Sequence, residues 1–97
     1  MRLFVKFDIN ADIIDVPRFV IDNRKELQLQ FLDWLYDTSN LHPYWVYHGK
    51  TLGVSYRSDA FVHWLNEFIL KDCPEKASLL EQFVSSYNKD RLPTLSF

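Results

Sequence analysis

From Arg2 to Ile9 apolar and polar positions alternate, with Leu3, Val5, Phe7 and Ile9 on one side and Arg2, Phe4, Lys6 and Asp8 on the other. A period of two predicts a half-buried strand. In the stretch NADIIDVPRFVIDN, Pro17 forces Val16 extended and removes a ladder donor, while Phe19, Val20 and Ile21 favour burial. It reads as an edge strand or an ordered loop.

Asn23 and Glu26 have the spacing of a capping box, which predicts a helix from about Arg24 to Asp37. Leu27, Phe31, Trp34 and Leu35 share one face, Leu29, Leu32 and Tyr36 widen it, and Glu26, Gln30, Asp33 and Asp37 stripe the opposite side. Burial over more than half the circumference is expected.

The segment YWVYHGKTLGVSYR reads as a β-hairpin, because glycine at the first of two turn positions, Gly49-Lys50, suits a type II′ connection. This turn sets Tyr47 opposite Leu52 and Trp45 opposite Val54 on an inward side that Tyr56 continues. His48 with Thr51, Val46 with Gly53, and Tyr44 with Ser55 then point outward. Ser58 is placed to cap a helix from Asp59 to about Asp72, with Phe61, Trp64, Leu65, Phe68 and Ile69 as its stripe. Pro74 suits the start of a third helix running to about Asn88, with Leu79, Leu80, Phe83, Val84 and Tyr87 on its apolar face. The tail RLPTLSF either adds a strand or lies free. The expected fold is one α+β domain over 1–97, a two-layer arrangement. A small antiparallel sheet, made of the N-terminal strand and the central hairpin, is packed by three amphipathic helices.

Composition narrows the function classes. With 47% apolar and 25% charged residues among 97 and a net charge of −2, the chain is neither disordered nor a strongly basic nucleic-acid binder. A single cysteine, Cys73, excludes an internal disulfide and a cysteine-based zinc cluster, which suits a reducing cytoplasm. No apolar run has membrane-spanning length and no signal peptide opens the chain, so a soluble cytoplasmic protein is expected, without a membrane partner.

Few residues carry candidate chemistry. Gly49-Lys50-Thr51 ends like a phosphate-binding loop, but the motif needs a glycine at position 44, where Tyr44 stands, and a helix after it. Asp59, His63 and Glu67 align on one helix face as metal ligands would, although a solvated stripe is the plainer reading. Cys73 near a helix start has a place where a thiol can be activated, yet packing is its ordinary role. No catalytic, cofactor-binding or metal-binding residue is therefore assigned.

The outward face of the expected sheet is more informative. It would carry Phe4, Lys6, Tyr44, Val46, His48 and Arg57, with Arg2 and Ser55 beside them. Aromatic and cationic residues interleaved in this way suit the centre of a protein interface. They also suit stacking and phosphate contacts to single-stranded nucleic acid. The excess of acids over bases favours a protein partner, either a second copy of the chain or a larger protein. Three Trp, five Tyr and eight Phe are more than a core this small readily conceals, and this points the same way. The expected function is a non-enzymatic protein-binding module of adaptor, inhibitor or immunity type, with single-stranded nucleic-acid binding on the same face as the alternative.

Overall fold

A computed structural model describes residues 1–97, and the alternating N-terminal segment forms strand β1 (Arg2–Lys6). The strand stops before Phe7, whose N–H donates to the Asn10 carbonyl at 2.9 Å, and Ile9 stands exposed in the turn. The chain returns as β2 (Ala11–Asp15), antiparallel to β1, with Leu3 opposite Ile14 and Val5 opposite Asp12. After Pro17 comes a short helix, α1 (Arg18–Asp22), and then α2 (Arg24–Tyr36). No capping box forms at Asn23. Its side-chain amide donates backward to the Phe19 carbonyl at 2.7 Å, closing α1 instead. Helix α2 buries Leu27, Phe31 and Leu35 but exposes Leu29 and Tyr36, so its inner stripe is narrower than the periodicity suggests.

Strands β3 (Trp45–His48) and β4 (Thr51–Val54) form the expected hairpin, with Trp45 opposite Val54 and Tyr47 opposite Leu52. Gly49 has φ +66°, and Lys50 is not among the positive-φ residues, as a turn with glycine leading requires. A Cβ at Gly49 would meet nothing within 4 Å, so its cost is purely conformational. Gly49→Ala is expected to destabilise the hairpin by about 1–2 kcal/mol, measurable in a thermal melt. An unchanged melting temperature would show that the turn rearranges freely.

The hairpin does not extend the β1 sheet. That expectation is corrected: β3 and β4 form a two-stranded sheet of their own, while β1 lies inside a mixed four-stranded sheet of order β5-β2-β1-β6. Strand β6 (Thr94–Ser96) runs parallel to β1, and β5 (Ser78–Val84) runs antiparallel to β2. With β2 and β6 on its two edges, β1 has no free ladder for the hairpin to join. The tail is thus a strand, and its Leu95 is buried.

Helix α3 (Ser58–Trp64) continues into one π-helical turn (Leu65–Ile69), closed by the Leu70 N–H on the Leu65 carbonyl at 2.7 Å. The third helix expected from Pro74 to Asn88 is absent, and β5 occupies its place. Pairing with β2 satisfies a line of backbone groups that a helix there would leave open. Leu80 and Phe83, which that helix would bury, are exposed. The fold is therefore α+β with three helices and two sheets.

The main core lies between the helices and one face of the large sheet, where Leu3, Val5, Ile14 and Leu95 meet Phe31, Leu35, Phe61, Trp64 and Leu65. Phe31 is its centre, with the rings of Phe61, Trp64, Tyr56, Phe97 and Trp34 5.3–6.2 Å away. The opposite sheet face holds a second, smaller cluster of Phe4, Ala11 and Ile13, covered by Val84 and Leu92.

Candidate interaction surface

The six residues grouped by the sequence on one sheet face are not brought together. Phe4 is only 3% exposed because β1 is an inner strand covered on both faces. Lys6 is exposed at the end of β1. Arg57 precedes α3 and is tied to Asp12. Tyr44, Val46 and His48 remain together at and along β3, on the separate hairpin.

The inward and outward assignments of the hairpin change in part, because core packing reaches only one end of it: Trp45, Val54 and Tyr56 are half-buried as expected. Tyr47 and Leu52, expected inward, are exposed. Tyr44, expected outward, is half-buried against the main core. Burial, together with the negative charges of Asp59 and Glu67, pushes its phenol pKa up. Trp45 is half-buried, and its indole N–H donates to the Asn40 carbonyl at 2.8 Å.

Between α2, α3 and the hairpin these residues build a continuous band of rings. Phe68 stands 5.7 Å from Trp34, Trp34 stands 4.7 Å from His42, and His42 stacks on Trp45 at 4.8 Å with the planes 11° apart. Tyr44 branches from His42 at 5.5 Å and reaches His63 at 6.3 Å. The histidine at the junction is locked. Its Nδ1 accepts the Tyr44 N–H at 3.2 Å, which leaves Nε2 to donate to the Leu35 carbonyl at 2.8 Å. None of these rings is fully buried, and Leu41, Tyr47 and Leu52 stand exposed on the same hairpin region. No family model, curated protein or solved structure matches the chain.

Sequence patterning placed Trp34 and Phe68 on inward helical stripes and gave His42 no role, so it missed three members of the band. The available signal was local: HPYW puts three ring side chains around a proline, too stiff a segment for all of them to turn inward.

Candidate chemistry lies apart from the band or at its margin. His63 Nε2 pairs with Glu67 Oε2 at 2.7 Å on the exposed side of α3, and no group of three or more His, Cys, Asp or Glu side chains converges. Cys73 lines a shallow cleft with Pro17, Phe19 and Pro74.

A second polar centre, also missed, joins the sheet to α3. Asp12 is fully buried. Its Oδ1 accepts from Arg57 Nη2 at 2.7 Å and from the Phe83 N–H at 3.0 Å, while Oδ2 accepts from Ser58 Oγ at 2.5 Å. Ser58, expected as a cap, donates its hydroxyl to this carboxylate instead. Gln82 and Phe83 both lie opposite Asp12 where the β2–β5 register slips, a β-bulge that turns the Phe83 amide out of the ladder and onto the carboxylate. Phe83 takes φ +55° to do so. Its ring and that of Phe7 flank the Arg57 guanidinium at 4.4 and 4.6 Å. Burial raises the Asp12 pKa, but the bonds from Arg57, Ser58 and Phe83 outweigh it and hold the carboxyl below its ordinary value.

Proposed function

We propose that the chain is a non-enzymatic protein-binding module, an adaptor, inhibitor or immunity-type protein of the cytoplasm, that meets its partner through the aromatic band and the hairpin beside it. The observation that carries this reading is the continuity of the band from Phe68 through Trp34 and His42 to Trp45. Rigid, half-exposed aromatics supply large contact area at little entropic cost, which is why they dominate the centres of interfaces. The molecule exposes 6277 Å², above the roughly 5,800 Å² of a compact monomer of this mass. A two-stranded hairpin is marginal alone, and added contact would stabilise it. Its partner is a larger protein or a second copy of the chain.

Tyr44→Ala is expected to weaken partner association by about 2 kcal/mol, measured by affinity capture and titration of the captured partner. Tyr87→Ala, remote from the band, serves as the control that should bind normally. Capture undiminished by Tyr44→Ala, or a strict monomer that retains no partner, would sink the proposal.

Stacked rings also favour a second reading, single-stranded nucleic-acid binding. The cations speak against it: Arg57 is engaged by Asp12, and Arg2 and Lys6 belong to the other sheet. Oligonucleotide affinity that falls steeply with salt would restore it.

A further inference from the structure

On the sheet face turned away from the helices, residues 85–93 arch over β1, β2 and β5. Asn88 ties the arch together, donating to the Leu92 carbonyl at 2.7 Å and accepting the Leu92 N–H at 3.0 Å. Pro93 fastens it to β1 by accepting the Phe4 N–H at 2.8 Å. Between arch and sheet lies a cleft of about 360 Å³. Its floor is apolar, made by Phe4, Ile13 and Val84, with Leu92 packed against them from the arch, and Tyr87 contributes an exposed ring at one side. Two cations, Arg2 and Lys89, and two anions, Glu81 and Asp90, complete the lining.

These features choose a class of ligand. The volume lies at the small end of the range for organic ligands, enough for one ring system. The apolar floor and the Tyr87 ring favour a flat aromatic body. The four charges cancel, so the lining favours neither an anion nor a cation. At 3.9 Å, Arg2 and Asp90 are too far apart to hydrogen-bond each other, which leaves a donor group and an acceptor group turned to the same space. We infer that this cleft binds a small, net-neutral aromatic molecule carrying both a hydrogen-bond donor and an acceptor on one edge. The inference is independent of the aromatic band, which lies with the helices and the hairpin.

The test is a titration of the isotopically labelled full chain, followed by amide chemical shifts, with 7-azaindole as the neutral probe. Indole-3-carboxylate and tryptamine serve as its anionic and cationic counterparts. The expected result is saturable shifts confined to residues 2–4, 13 and 81–92, with 7-azaindole binding several-fold tighter than either ion. Tyr87→Ala removes an exposed side chain, so it should leave the melting temperature unchanged and weaken 7-azaindole roughly five- to tenfold. Absence of saturable shifts, tighter binding of one of the ions, shifts centred on the hairpin, or full affinity in Tyr87→Ala would each overturn the inference.

Discussion

Replacing Asp12 with alanine is expected to lower the unfolding free energy by about 3–5 kcal/mol, the usual cost of removing one partner from a buried ion pair. The loss is large because three donors converge on one carboxylate. Arg57 would keep its charge between the Phe7 and Phe83 rings with no counter-ion, and the Ser58 hydroxyl and Phe83 amide would lose their acceptor. Phe83 would also keep its positive φ without the bond that holds it there. A chain of this length has only about 5–15 kcal/mol in total, so urea denaturation should show a much earlier midpoint. A change under 1 kcal/mol would mean that water reaches the carboxylate.

The same centre gives a pH dependence of defined sign. The folded-state pKa of Asp12 is depressed, so its contribution is fully present above the unfolded-state pKa and fades as pH falls through the folded one. Asp12→Asn should therefore flatten the acid limb of the stability curve compared with the native chain. Parallel acid limbs for the two proteins would show that other carboxylates govern acid unfolding.

Phe31→Ala should be comparably severe, at about 3–5 kcal/mol. Phe31 is fully buried, and five aromatic rings stand around it, two from α3, one from α2 itself, one following β4 and one at the end of the chain. Alanine would leave a cavity whose walls belong to separate elements and cannot all move inward together. Loss of near-ultraviolet circular dichroism should accompany the drop in stability, because the cluster holds Trp34 and Trp64 in place. Phe31→Leu, which keeps most of the volume, should recover more than half of the lost stability, and equal losses in the two variants would argue against a cavity origin.

The interaction surface was only partly legible beforehand. Tyr44 and Trp45 stood out as interface candidates or core anchors by their position near a glycine-led turn. Their orientation could not follow from register alone, since register says which residues share a face and not what lies against that face. His42, Trp34 and Phe68 join the band through contacts between α2, α3 and the hairpin, and no short-range spacing encodes such contacts. Asp12 carried no such signal, since within ADIID each of the two alternating sets holds one isoleucine and neither marks the inward face. Its partners come from residues 45–71 positions away.

Short-range chemistry settles those elements whose signal spans a few residues. Strand β1 follows from alternation, α2 from its three-and-four spacing, and the hairpin with its full register from Gly49. Only folding in three dimensions chooses neighbours. It placed β6 beside β1, left the hairpin as a separate sheet, covered Phe4, and made 78–84 a strand. The reason is that apolar residues three and four apart, as in Leu79, Leu80, Phe83 and Val84, fit a helix or a bulged strand alike. The choice goes to whichever satisfies the open backbone groups of β2, and those groups belong to a part of the chain more than sixty residues away.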